Sequence, residues 1–357
     1  MTTQDKHDKP DPGTTKTRRS VPTVTSGPGT GITPALGLRG VGTSLLRLRE
    51  LSVVLVVVVL MFYFGLSQSS FISSNNIGNI VNLSAGAAIL ASGEVMLLVC
   101  GEIDLSVGMT FAFAPFVMME MNDHGVPLLA ALIIALIVCC AFGLFNGLVT
   151  VLLGLPSFIT TLGTIFLIHG ITLEISSSFP RPAPTTGVLV DVLGGWKWSY
   201  LVWAIAIALL MQIILTSTKW GSYTIAAGAN SHGASEAGIK VRIMKLRAFV
   251  VAALFAGLAG VIEGIHITQS FDPNAGGNDL MFKAVAGAVI GGTALLGGSG
   301  TVIGALFGVF LLGILENGFT LQGISANTFF IIEGVAIILA MILNTQLRRF
   351  RRGAKAA

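Results

Sequence analysis

Two carboxylates stand two residues apart in an otherwise apolar stretch. Glu102 and Asp104, with Ser106 close behind, lie in GEIDLSVG at 101–108, between the runs VMLLV and FAFAPFVMM. A carboxylate at the centre of a bilayer is disfavoured by about 2.5–3.5 kcal/mol on insertion scales. On a regular helix, side chains two positions apart point about 200° apart, so the pair cannot share one face. A broken helix removes the conflict. Gly101 can adopt backbone conformations closed to other residues, and Asp104 can cap a second half-helix beginning at Leu105. Irregular backbone at membrane depth is tolerated where it is buried in protein or lines a water-filled path. Two roles follow for this stretch. Glu102, Asp104 and Ser106 line a polar route across the membrane, or the carboxylate staples a helix break and touches no substrate.

Either role needs a scaffold of apolar helices. Hydrophobic residues make up 53% of the 357 and charged residues 11%, against about 25% charged in a soluble domain. The expectation is an all-α integral membrane protein. Runs long enough to span a bilayer, roughly 20 mostly apolar residues, fall near 47–66, 77–92, 94–115, 127–150, 156–176, 199–217, 247–268, 283–297, 300–317 and 328–346. That makes about ten transmembrane helices. Ser92-Gly93 alone separates the second run from the third, and GGSGT separates the eighth from the ninth, so these pairs read as tight hairpins or re-entrant segments. Residues 1–45, rich in Pro, Gly, Thr and charge, read as a disordered tail. The membrane-spanning body then covers 46–347, and 348–357 is a basic tail.

Of the 21 Lys and Arg residues, eight lie at or before the start of the first run, five lie in 219–247 and five follow the last run. By the positive-inside rule, both termini and the 219–247 loop face the cytoplasm. The net charge of +4 therefore reflects topology, and nothing suggests nucleic-acid binding. Glycines mark breaks and turns at Gly101, Gly108, Gly291, Gly292, Gly297 and Gly298, the last four in GGTALLGGSG. Elsewhere in the spans, glycines let helices approach closely.

The longest cytoplasmic connection contains IAAGANSHGASEAGI, whose alanines suit a short helix along the membrane surface. Asn230 or Ser231 can serve as its N-cap and Gly238 as its stop. Its length, in a chain that otherwise turns tightly, suggests a docking role. Glu263 and His266 sit near the end of a run, where polar groups reach headgroups or water. Cys100, Cys139 and Cys140 lie in apolar runs with no metal-ligand spacing. There is no GxxxxGK[ST], HExxH or GxSxG. No catalytic or metal site is therefore expected, and any ATP-driven step needs an ATPase on another chain.

Four segments carry a resemblance. GEIDLSVG resembles the G-[GE]-I-D-L-S-x-G signature of permease subunits of sugar-type ABC importers, the ribose/xylose/galactose class. LPSFITTLGT at 155–164 is similar to that family's P-x-F-[IV]-x-T-L-G element. GANSHGASEAGIKV at 228–241 is similar to its cytoplasmic loop, and 273–325 follows its longest motif block. The resemblance implies a fold like the vitamin-B12 importer permease, with broken or re-entrant segments, in a bacterial plasma (inner) membrane. It also implies partners: a second permease copy or a homologous permease, separate ATPase subunits carrying ATP and magnesium, and an extracytoplasmic sugar-binding protein. No cofactor is implied in this chain. Asn230, Ser231, His232, Ala234, Glu236 and Gly238 would then belong to a coupling helix seated in the ATPase, with His232 and Gly233 departing from the family's usual Glu-Ala or Ala-Ala. The implied function is import of a monosaccharide. Similar permeases carry other small polar cargo, such as an autoinducer-like furanose or a nucleoside. A competing class, an ion-coupled secondary transporter using Glu102 and Asp104, sits poorly with the 219–247 loop and with the lack of spaced carboxylates in other spans.

Overall fold

The computed structural model describes residues 49–353. The tail expected over 1–45 and the end of the 348–357 tail lie outside the described residues. In chain order the helices are α1 (Arg49–Ser67), α2 (Ser74–Cys100), α3 (Val107–Asp123), α4 (Leu128–Leu152), α5 (Ser157–Ser176), α6 (Val188–Leu193), α7 (Ser199–Ser217), α8 (Lys219–Ala229), α9 (Ser231–Glu236), α10 (Val241–Glu263), α11 (Gly277–Ile290), α12 (Val302–Leu321) and α13 (Ala326–Gly353). A π-helical turn, Gly264–Thr268, extends α10. The one strand pair among the described residues joins β1 (Arg181–Pro182) to β2 (Ser270–Phe271), antiparallel.

Six of these helices are long and apolar enough to cross a membrane: α2, α4, α5, α7, α10 with its π turn, and α12. Five of them fall on the apolar runs at 127–150, 156–176, 199–217, 247–268 and 300–317. The sixth differs from the expected pair of short spans at 77–92 and 94–115. Helix α2 is continuous over 27 residues, straight through Ser92-Gly93. Gly93 does not turn the chain; it brings α2 against the backbone of Ala252 in α10, where a Cβ would collide. The run expected at 283–297 is likewise re-drawn as the 14-residue α11, which begins earlier and ends at Ile290.

Helix α2 is the axis of the bundle. Its small residues, in SAGAAILASG, let α7, α8, α10, α11 and α12 pack closely around it, which is how helices associate when lipid removes any hydrophobic drive between them. Helix α10 packs against α2, α3 and α4, and α12 packs against α1, α2 and α11. Two marks identify the ends of this bundle. At one end Lys197 donates to Ser74 Oγ (2.8 Å), and Arg181 pairs with Asp123. At the other, Lys245 meets Glu102.

A reciprocal amide pair locks α2 to α12. Asn76 Nδ2 donates to Asn317 Oδ1 (2.8 Å), and Asn317 Nδ2 donates back to Asn76 Oδ1 (3.0 Å), both buried. Removing one partner strands the other's buried polar atoms, an effect of about 1–3 kcal/mol, whereas removing both can be nearly neutral. Asn317→Leu is accordingly expected to lower the melting temperature of the purified protein. The double variant Asn76→Leu/Asn317→Leu should recover part of that loss. Additive destabilisation in the double variant would show that the two amides do not support one another.

Candidate functional site

GEIDLSVG holds the link between two helices, α2 ending at Cys100 and α3 beginning at Val107. Gly101 adopts φ +80°, in the left-handed region, and ends α2. Its N–H donates to Leu98 O (2.9 Å), and the Glu102 N–H donates to Leu97 O (3.0 Å). These two bonds form a Schellman motif, satisfying carbonyls that the helix end leaves free. Glycine takes this conformation without the steric penalty other residues meet. The second helix starts at Val107, two residues beyond the expected Leu105.

Asp104 shapes the turn from inside. It is fully buried, with Ser106 and Asn146 beside it. Its Oδ1 accepts from the Ser106 N–H (2.8 Å) and from Ser106 Oγ (2.5 Å), while Asn146 Nδ2 donates to Oδ2 (3.2 Å). Asn146, from α4, also donates to Ser106 Oγ (2.9 Å) and accepts from Thr164 Oγ1 of α5 (2.6 Å). The bond to its own chain two residues on is an Asx-type turn, a local device different from the helix cap expected. Helix α5 completes the cradle: Ser157 Oγ accepts the Ile103 N–H (3.3 Å) and Thr161 Oγ1 accepts the Leu105 N–H (3.1 Å). The second motif, LPSFITTLGT, thus supplies acceptors for the backbone of the first.

The other two motifs reach the same place. Gly298 donates to Val99 O at the end of α2 (2.9 Å). A Cβ on Gly228 would run into that same Val99 carbonyl, and one on Gly298 would press on Ala229. Gly292, Gly297 and Gly298 hold φ of +96°, +80° and +78°, forming the sharp turn expected at 291–300. Gly291 instead ends α11 in ordinary helical geometry, packed against the backbone of Gly304. Gly108 lies one residue into α3 against the carbonyl of Gly277. Four segments separated by up to two hundred positions therefore meet around the end of α2.

Glu102 stands at the rim of this cluster, ion-paired to Lys245 of α10 at 2.5 Å with side chains 12% and 24% exposed. Helix α9 projects from it. Asn230 caps α9 through Oδ1, which accepts the Gly233 N–H (3.0 Å), and Gly238, at φ +81°, follows its end. Ala234 is buried and anchors the inner face. Ser231 is exposed. His232 and Glu236, 84% and 70% exposed, lie 3.4 Å apart on the outer face.

Asn146, Thr161, Thr164 and Lys245 are site residues that sequence reasoning passed over. For Asn146 the signal was an amide inside the apolar run GLFNG. Glu94, in the same expected run as Glu102 and Asp104, was passed over as well. It is fully buried in α2 near Asp104. Glu263 does not reach outward as expected: buried Tyr200 donates to its Oε2 (3.1 Å). Among the described residues, no cluster of three or more His, Cys, Asp or Glu side chains could hold a metal.

A bundle of this kind, bearing capped turns and a projecting surface helix, defines a polytopic α-helical membrane protein. The chain belongs to the family described as branched-chain amino acid transport system / permease component, whose model matches residues 76–341. A xylose/arabinose import permease protein of Sulfolobus acidocaldarius is 35% identical over 307 residues, covering 84% of this chain and 85% of its own. A probable ABC transporter permease protein of Escherichia coli is 32% identical over 316 residues (87% and 93%). An autoinducer 2 import system permease protein of Salmonella typhimurium is 31% identical over 309 residues (84% and 86%). No solved structure matches the chain at a significant level. Permeases of this family are transporter components rather than enzymes.

Proposed function

We propose that this chain is the membrane-spanning permease subunit of an ATP-driven importer of a monosaccharide. The observation that carries the reading is α9, whose one anchored residue, Ala234, and two exposed ones, His232 and Glu236, make a handle on the cluster at the end of α2. Pushing on a partner-bound α9 would move Gly228 against Val99 and the 291–300 turn. Nucleotide chemistry on separate ATPase subunits would supply that push, with ATP and magnesium held there. A sugar-binding protein would deliver cargo at the opposite end, and a second permease copy or a homologous permease would complete the path. In this reading α1, α3, α13, and α11 together with the irregular segment before it, join the six long helices to give about ten passes, arranged as in the vitamin-B12 importer. The excess of Lys and Arg in 219–247 supports a cytoplasmic position for α9 and the termini, in a bacterial inner membrane.

Neither acid of the turn is free to ferry ions: Glu102 is paired with Lys245, and Asp104 is held by Ser106 and Asn146. That favours ATP-driven import over ion-coupled transport. The test is uptake of labelled D-xylose into proteoliposomes holding the permease, its ATPase and its binding protein. Uptake is expected only with ATP inside and both partners present. The similarity to the autoinducer 2 permease supports a second cargo, and uptake of that furanose without uptake of pentoses would select it. Accumulation driven by a proton or sodium gradient without the ATPase would overturn the reading.

A further inference from the structure

Residues 272–279, PNAGGND with the preceding Asp272, belong to the fourth motif and touch the first only where Gly276 and Gly277 pack against Gly108. Between β2 and α11 the backbone is irregular, with Gly276 and Gly277 at φ +73° and +51°. The 14 residues of α11 span about 21 Å at 1.5 Å per residue, and α11 ends beside the 291–300 turn, which is bonded to Val99. That turn shares its end of the bundle with the Glu102–Lys245 pair. Measured from there, residues 277–279 stop short of the far side of a hydrocarbon layer about 30 Å thick. They lie at membrane depth.

Asn278, Asp279 and Phe282 are nevertheless exposed. Helix α3 packs against both α5 and α11, which make at most marginal contact with each other. A shallow groove results, with half-buried Met109 of α3 on its floor, close to Gly277. On the α5 side His169 Nε2 lies 3.2 Å from Asn274 Oδ1 of the irregular segment. Lipid can neither hydrogen-bond an amide and a carboxylate nor satisfy non-helical backbone, so such a face is stable only against water or protein. Asp279 has no ion-pair partner among the described residues, and water hydrates an unpaired carboxylate where a packed protein interface would have to neutralise it.

We infer that the groove between α5 and α11 is this chain's wall of the translocation path, and that Asn278 and Asp279 are the groups that touch a hydroxylated cargo. The inference rests on the importer reading for the identity of the cargo, but the existence of the water-filled groove does not. It moves the contact residues away from Asp104 and Ser106, which are fully buried, and leaves Glu102 near one mouth. Amide and carboxylate oxygens accept from sugar hydroxyls, while Phe282 and Met109 give apolar surface that does not hold the cargo back.

The test separates the two ideas. Asn278→Cys, Phe282→Cys and, as a lipid-facing control, Leu209→Cys on α7 are placed in the complete transporter in nanodiscs. Each is exposed to a membrane-impermeant sulfonated methanethiosulfonate. Labelling of the first two is expected to be at least tenfold faster than labelling of the control, and D-xylose is expected to slow it. In proteoliposomes the same reagent should cut whatever D-xylose uptake Asn278→Cys and Phe282→Cys retain by at least tenfold, leaving Leu209→Cys unchanged. Equal, slow labelling at all three sites would overturn the groove, even if uptake is normal. Fast labelling at 278 and 282 in a complex that moves no sugar would keep the groove and refute the monosaccharide reading.

Discussion

Asp104→Leu is expected to yield far less folded protein than the unmodified chain, with the survivors melting at clearly lower temperature. The carboxylate accepts from the Ser106 N–H, Ser106 Oγ and Asn146 Nδ2 at a fully buried position. Leucine keeps the branching at Cγ but is bulkier and accepts nothing, so buried donors are orphaned, each worth about 1–3 kcal/mol. With two or three donors affected, the loss is about 3–5 kcal/mol, a large part of a typical folded margin. Asp104→Asn retains one acceptor for the Ser106 N–H but turns an amide N–H₂ toward that of Asn146, so it should fall between. A double variant, Asp104→Leu/Asn146→Leu, removes donor and acceptor together and should lose less than the sum of the two singles. Melting curves in detergent, read beside size-exclusion profiles, decide it. A wild-type profile for Asp104→Leu would mean that the turn holds its shape without the carboxylate.

This expectation also shows which features were readable in the residues alone. The need for a break near Glu102 and Asp104 followed from two charges at a spacing that no regular helix can accommodate, and the structure turns the chain there. The caps of α9 were readable because Asn230 and Gly238 are local signals whose partners lie within a few residues. The depth of the turn was not readable. Hydropathy treats Ser92-Gly93 and Gly101 alike, yet Gly93 serves close packing against Ala252 while Gly101 caps a helix. What distinguishes them is a neighbour more than a hundred positions away. Asn146 was hidden for the same reason, since its partners come from 104, 106 and 164. The start of α11 at Gly277, ahead of the run expected from 283, was not readable because Gly277, Asn278 and Asp279 interrupt the apolar pattern.

His232→Trp is expected to abolish ATP-driven uptake while leaving the permease folded. His232 is 84% exposed, and its 3.4 Å approach to Glu236 is a surface pair on a short helix, worth little to stability. The parts that hold α9 in place, the Asn230 cap and buried Ala234, are on the other side and unaffected. An indole there has open solvent around it in the isolated permease, so melting temperature should stay within about a degree. In the assembled transporter the same indole would have to fit into whatever cleft of the ATPase receives α9. Packed interfaces match protein interiors in density and tolerate extra bulk poorly. Uptake should therefore fall by at least tenfold, either because the ATPase no longer co-purifies or because it hydrolyses ATP without moving sugar. Gly238→Trp is a less clean probe of the same surface. Its added Cβ meets nothing within 4 Å, but a side chain at φ +81° adds roughly 1–2 kcal/mol of backbone strain. Normal assembly together with normal uptake by His232→Trp would mean that the outer face of α9 meets no partner, and the drive would then have to enter through another part of the 219–247 segment.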